Sequence, residues 1–370
     1  DGVTGVQTCA LPILNSENPP GNEVAVARFI AGHLKKLGVT SRIYEFSDKR
    51  TNLIACIKGK GSHSLIVTPH LDTVPAGRNW ENNPFEAKRI RGRIYGLGAT
   101  DCKCNIACFI EALNSMLEKN IVLPYNLIFA ATADEESGSG LGLLPLLEKK
   151  ILRADAALVL DADDFDIIVA QKGLLQIKVS IKGRKAHGAY PQQGINAINI
   201  AAQFINEIRG YRFAYRRNRY LKRPTVNIGT IRGGDKVNIV PDWCVLELDF
   251  RFLPGEEYKG LLKLARGIIK KYTDNFNIEI KGLQAPYLIS ERHPLVSKLK
   301  KAFLSSGVIP RVTGSEGATV ITFFKKYNIP AVATGFGVSG CAHIVDEYVE
   351  IRSLVKGASA LENFFTTYRN

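Results

Sequence analysis

The sequence predicts an α/β domain with a mixed central sheet, interrupted by an inserted α+β domain. Three observations carry this prediction. Apolar runs of strand length alternate with segments of helical period as far as residue 160. Between residues 175 and 285 the order becomes β-α-β-β-α-β, the split arrangement of a small α+β domain. After Pro286 the first rhythm returns, so the second domain is inserted rather than appended.

Taken in order, Val26, Phe29, Ile30, Leu34 and Leu37 share one helical face, and Gly38 supplies a C-terminal stop. Strands are expected at 41–46, 51–58 and 64–69, the last two joined by a Gly-rich turn. A helix over 103–118, a strand over 125–132, a helix over 140–150 and a strand over 156–160 follow. The insertion reads as strand 174–182, helix 194–209, strands 224–232 and 242–252, helix 256–272 and strand 275–281. Helices near 294–305 and 316–327, a strand over 330–334 and a helix over 350–367 close the chain. The expected boundaries are 14–174 with 286–370 for the α/β domain and 175–285 for the insertion.

Residues 1–13 stand apart. Val3 to Ile13, "VTGVQTCALPI", back-translates to a string that resembles a common sequencing-library adapter, and Met116 is the only methionine. This end is therefore expected to be a translated assembly artefact and is set aside from the fold.

At 370 residues the chain holds one large or two ordinary domains, and 45% apolar with 23% charged content is that of a soluble globular protein. No apolar stretch approaches the roughly 20 residues of a membrane span, and no secretory signal is visible. Seven cysteines without framework spacing point to free thiols and a reducing compartment, so a cytoplasmic location without membrane contact is expected. The formal charge of +14 admits nucleic acid, an anionic surface or an acidic small molecule and chooses none of them.

The chemistry lies where apolar strands end in polar residues. "FAATADEESGSG" runs from a buried strand straight into Asp134, Glu135 and Glu136. Three acids there repel one another and lose hydration unless something positive sits among them. "SLIVTPHLDTVP" delivers His70 and Asp72, "GLGATDCKC" delivers Asp101, "AALVLDADD" delivers Asp161, and "GFGVSGCAHIVDEYV" delivers His343. In open α/β sheets the carboxyl ends of strands line the ligand crevice, so these side chains should converge. Mixed histidine and carboxylate donors suit zinc and related divalent ions, so two such ions are expected. Taken singly each residue has an ordinary alternative. A histidine after a strand can be a core residue, and an acidic pair at a helix start can be a cap.

The motifs "HLDTVP", "GATD-K", "ADEESGS" and "AH--DEYV" together resemble the M20 metallopeptidases and deacylases, the group of acetylornithine deacetylase, succinyl-diaminopimelate desuccinylase and carboxypeptidase G2. The resemblance covers nearly all of residues 15–370. It implies a catalytic α/β domain and an inserted lid that also forms a homodimer. It further implies that Asp101 bridges two metals, zinc first and cobalt as a substitute. His70 and Asp161 would complete one site and Glu136 and His343 the other. Glu135 would be the general base and Asp72 would orient His70. His187 in "GRKAHGAYPQQGINAI", Asn238 in "GGDKVNIVPD" and Arg251 in "LELDFRF" match the family's substrate-binding residues of the lid. The expected reaction is hydrolysis of an N-acyl amino acid. A di- or exopeptidase is the alternative, and the catalytic motifs do not separate the two.

The residues agree with this chemistry. Amide hydrolysis needs an activated water, a stabilised oxyanion and a proton for the leaving amine, and two metals with a neighbouring carboxylate supply all three. Adjacent glutamates on extended chain diverge, so one coordinates and the other moves protons. Two positions depart from the family pattern: Cys104 stands where glycine is usual and Leu97 where arginine is common. Cys102, Cys104 and Cys108 lack a second pair at finger spacing and read as packing residues. "GFGVSG" matches G-x-G-x-x-G but opens no helix, which rejects a dinucleotide site. The rival of another class is a nucleic-acid-binding or scaffold protein. "YRFAYRRNRYLKRP", 211–224, interleaves basic and aromatic residues as a strand-stacking surface does, and also as a solvated stretch does.

Overall fold

The computed structural model describes residues 8–161 and 164–369. Along the first part run α1 (Val24–Lys36), β1 (Ser41–Glu45), β2 (Thr51–Ile57), β3 (Ser64–Thr68), β4 (Lys88–Ile90) and β5 (Arg93–Tyr95). Then come α2 (Lys103–Glu118), β6 (Asn126–Ala131), α3 (Leu143–Glu148), β7 (Ala156–Leu160) and β8 (Ile167–Gln171). The insertion holds β9 (Gly173–Lys182), α4 (Ala197–Gly210), β10 (Thr225–Gly233), β11 (Trp243–Phe252), α5 (Tyr258–Lys270), β12 (Phe276–Gln284) and β13 (Tyr287–Leu288). The chain closes with α6 (Pro294–Ser305), β14 (Val312–Ser315), α7 (Ile321–Lys325), β15 (Ala331–Thr334), β16 (Tyr348–Glu350) and α8 (Ile351–Thr367).

Contacts divide the chain into two compact units. One spans 1–169, 289–313 and 323–370; the other spans 170–288 and 314–322. In the first unit the central sheet runs β1-β2-β6-β3-β7-β15-β8. β3 is parallel to β6 and β7, and β15 is parallel to β7, whereas β1, β2 and β8 pair antiparallel, so the sheet is mixed as the sequence predicts. β7 is buried at every position, as a strand covered on both faces must be. α2 is buried almost all round, packing Phe109 against Phe129 at 4.2 Å and Phe365 at 6.0 Å. Gly357 lets α8 approach this layer, since a side-chain carbon there would meet Cys108 Sγ at 2.9 Å and Phe336 at 2.6 Å.

The second unit is a four-stranded antiparallel sheet of order β10-β11-β9-β12. Alternate residues of β9, Leu175, Ile177, Val179 and Ile181, are buried against Phe204 and Ile208 of α4 and Ile268 and Ile269 of α5. The period of two along the strand and of 3.6 along the helices made this β-α-β-β-α-β order readable.

Some elements escape the sequence pattern. β4, β5 and β16 form a small separate sheet, and β8, β13 and β14 are also unpredicted. Short strands carry too few alternations to stand out. The helix expected over 316–327 shrinks to α7, preceded by β14. Within the stretch set aside at the N-terminus, Thr8–Ile13 forms a 3₁₀ turn with Leu11 fully buried.

Candidate metal centre

β3, β6, β7 and β15 all point the same way, so the loops after them open on one edge of the sheet. His70 and Asp72 follow β3, Glu135 and Glu136 follow β6, Asp161 follows β7, and His343 lies in the loop after β15. Asp101 stands just before Cys102, the N-cap of α2, and the peptide between them is cis.

Asp101 lies at the middle of the cluster. Its Oδ1 is 2.9 Å from His70 Nε2, and its Oδ2 is 3.2 Å from His343 Nε2. His343 Nε2 is also 3.1 Å from Glu136 Oε1. Donor atoms of Asp101, Glu136 and His343 all fall within 4.8 Å of one another, as do those of His70, Asp101 and Cys102.

The tautomer of His70 tests whether a cation fits. His70 Nδ1 is 2.9 Å from the backbone carbonyl of Asp72. A carbonyl only accepts, so Nδ1 carries the proton, and neutral His70 then turns a lone pair at Nε2 toward a carboxylate oxygen. Such a contact is stable only with positive charge between the atoms, either a second ring proton or a metal ion. Without metal the protons take that role. Hydrogen bonds to Asp101 and Glu136 push the His343 imidazole up to about 10. Burial pulls His70 down, but the carboxylates of Asp101 and Asp72 outweigh it and leave the imidazole well above its usual range. Burial likewise opposes ionisation of Asp101, yet His343 and His70 hold its carboxyl below the ordinary carboxylate range. A divalent ion satisfies the same carboxylates and releases both imidazole protons, so the donor set fits one.

Glu135 and Glu136 occupy a 3₁₀ turn, Glu135–Ser137, rather than the extended chain the sequence suggests. Asp134 precedes them in the left-handed region, φ 66°. The N–H groups of Glu135 and Glu136 donate to Asp72 Oδ1 and Oδ2, each at 3.1 Å. Asp72 is fully buried and also accepts from Asn18 Nδ2 at 2.9 Å. Its carboxylate is 3.7 Å from His70 Nδ1, so its carbonyl is the nearer partner of the ring. The open end of a helical turn leaves N–H donors unmet, and the buried carboxylate meets them. Burial first, and then the charge of Asp161, push the Glu135 carboxyl well above the usual range. Asp161 is fixed through its backbone, which accepts from Asn105 Nδ2 at 2.9 Å and donates to Thr334 at 2.8 Å.

Asp134, the first of the three acids, finds its positive partner in Arg50, which the sequence did not single out. Asp134 Oδ2 accepts from Leu141 N–H at 2.9 Å, and its Oδ1 accepts from Arg50 Nη2 at 2.9 Å. Arg50 Nη2 also lies 2.9 Å from Glu23 Oε1, and all three side chains are buried. Gly142 closes the loop: a side-chain carbon there would sit 1.8 Å from the Ala133 carbonyl. Asn18 and Arg50 carry no local pattern, being remote in sequence from the motifs they support.

Three comparisons bear on this arrangement. The family model for peptidase family M20/M25/M40 matches residues 66–367. The chain belongs to this family. An uncharacterised metallohydrolase of Methanocaldococcus jannaschii is 30% identical, covering 86% of this chain and 85% of that protein. Acetylornithine deacetylase of Proteus mirabilis is 28% identical, covering 94% and 90%. An M20 family metallo-carboxypeptidase structure from Sulfolobus solfataricus shares the fold, with TM-score 0.81, 21% identity and 99% of each chain covered. The M20 chain is therefore a metallohydrolase of the peptidase and amidohydrolase class.

Within this M20 protein the remaining expected residues belong to the second unit. His187 and Asn238 are brought onto neighbouring segments: Gly188 N–H donates to the Asn238 carbonyl at 2.8 Å, and His187 pairs with Ile239 in an isolated bridge. Both side chains are exposed, with His187 Nδ1 accepting from Ala189 N–H at 3.0 Å. Arg251 is engaged by Asp249, Nε to Oδ1 at 2.6 Å and Nη2 to Oδ2 at 3.1 Å, while its Nη1 is buried without a partner. Glu316 pairs with buried Lys172 at 2.6 Å. The stretch 211–224 connects α4 to β10, and Arg209, Arg212, Arg223, Tyr211, Phe213 and Tyr215 border a cavity of about 650 Å³.

The two departures from the family pattern are absorbed by packing. Leu97 is buried, and Cys104 Sγ donates to the Thr100 carbonyl at 3.2 Å. Cys102 borders His70, and burial pushes its thiol up to about 11. Among the described residues no helix is long and apolar enough to cross a membrane.

Proposed function

We propose that this M20 chain is a two-metal amidohydrolase that removes the acyl group from an N-acyl amino acid. One observation carries the reading: a buried aspartate sets one oxygen against each of two histidines, with a second carboxylate on one of them. Asp101 would bridge the ions, His70 and Asp161 would complete one site, and Glu136 and His343 the other. Mixed nitrogen and oxygen donors favour zinc, with cobalt as a substitute. When bound, the ions supply an activated water and a polarised carbonyl.

The chain's own residues do the rest. Glu135 would take a proton from the attacking water at a carboxylate oxygen and deliver it to the leaving nitrogen. Asp72 keeps Glu135 and Glu136 apart and in place through their N–H groups. His187 and Asn238 would hold the scissile carbonyl and the substrate, and Arg251 would offer Nη1 or exchange Asp249 for a substrate carboxylate. We place the reaction in the cytoplasm, in keeping with the free cysteines.

The deacylase reading rests on the likeness to acetylornithine deacetylase, which spans nearly the whole chain. Protein purified without chelator should carry close to two metal ions, lose activity in EDTA and regain it with zinc or cobalt. Metal content near zero, with activity indifferent to chelator, rejects the reading. A panel of acetylated and succinylated amino acids and dipeptides should show turnover of the acylated substrates. Exclusive turnover of dipeptides would make the chain a peptidase with the same centre.

A homodimer through the second unit belongs to this proposal. β10 is an edge strand, and Ile195, Ile198, Ile231 and Val237 of that unit are exposed apolar side chains. Light scattering should give twice the monomer mass, and a fully active monomer refutes the dimer.

A further inference from the structure

Glu347 is a buried carboxylate, 1% exposed. Its Oε1 accepts the N–H groups of Thr100 at 2.7 Å and Asp101 at 2.8 Å, and its Oε2 accepts that of Gly98 at 2.9 Å. Its carbonyl accepts from Gly96 N–H at 2.9 Å. Around the same loop, Thr100 Oγ1 donates to the Tyr348 carbonyl at 2.7 Å and accepts from Val338 N–H at 3.1 Å. Burying a carboxylate is unfavourable unless its oxygens are well bonded, and here three amides just ahead of α2 converge on it. The strap is unusual in what it joins. One end is the backbone that presents Asp101, and the other is the segment that begins at His343.

We propose that Glu347 is a positioning residue that sets the Asp101 carboxylate between His70 and His343 before any ion arrives. With the Asp101 N–H fixed, the two carboxylate oxygens meet the two rings without a search of loop conformations. Loss of the strap frees that backbone, and partners of this outer kind typically change metal affinity about 10–100-fold. The inference rests on the metal-centre reading above, and the experiment separates the two.

Cobalt affinity, by competition with a chromophoric chelator, and the cobalt absorption spectrum are measured for wild type, Glu347→Gln and Glu347→Asp. Thermal midpoints of the metal-free forms are measured alongside. Glu347→Gln, which turns an N–H₂ toward N–H donors, should bind cobalt about 10–100-fold more weakly with an altered spectrum. Glu347→Asp keeps the charge and should recover part of the affinity. Wild-type affinity and spectrum in Glu347→Gln overturn the proposal, whatever its thermal midpoint. Failure of the metal reading is recognisable from wild type alone, because no cobalt spectrum then forms. Should both variants fail to fold, amide exchange in the metal-free wild type decides. Slow exchange at Gly98, Thr100 and Asp101 supports the strap, and exchange as fast as in an open loop refutes it.

Discussion

Glu135→Ala is expected to lower kcat by about 10²–10⁴-fold while leaving metal content and substrate binding near wild type. The reason is positional. Glu136 faces His343 at 3.1 Å and Asp101 beside it, whereas burial and Asp161 make the Glu135 carboxyl a strong proton holder. Glu136→Ala removes a candidate ligand instead, so it should lose metal, and excess zinc should restore part of its rate. Zinc should do nothing for Glu135→Ala. Metal analysis with kcat and KM on the two variants decides the matter. Reversed behaviour exchanges their roles, and wild-type rate and metal in both would reduce the pair to helix-turn acids.

Arg50→Met should destabilise the chain by about 3–5 kcal/mol, the cost of leaving a buried ion pair with one partner. Arg50 bridges Glu23 and Asp134, and all three are buried. Burial pushes the Glu23 carboxyl up, and the Arg50 hydrogen bonds and charge, with a backbone hydrogen bond, pull it part of the way back. Without Arg50 the Glu23 carboxyl must rise further. A carboxyl raised in the folded state favours folding at low pH and loses that favour as pH rises through its folded pKa. The penalty of Arg50→Met should therefore be large at neutral pH and narrow as pH falls through the raised folded pKa of Glu23 toward the usual glutamate range. Unfolding midpoints of wild type and variant across that range measure it. A constant small difference would mean that water reaches the pair and that the network is not buried in solution.

Much of the architecture was legible because it is periodic. Alternation in β9 and the helical stripes of α4 and α5 give the insertion, and the apolar runs of β3, β6 and β7 give the parallel part of the sheet. The candidate ligands were legible for a related reason. A polar residue directly after a buried strand breaks the pattern that packing requires, so His70, Glu135, Glu136 and Asp161 stand out against it. Short strands such as β5 and β16 break no pattern and pass unnoticed.

The sequence by itself determined the longer elements of the two units and the candidate acids and histidines that follow their strands. Only the tertiary structure decided how those side chains are held. Asn18, Arg50 and Glu347 come from segments far from the motifs they support, and their bonds to Asp72, Asp134 and the Asp101 loop exist only once the chain has folded. The placing of Asp72 was decided there too: its carbonyl lies against His70 Nδ1, and its carboxylate carries the two glutamate amides. Periodicity records where a side chain points relative to the core. It records nothing about which backbone N–H a buried carboxylate will meet, because that depends on loop geometry set by contacts remote in the chain.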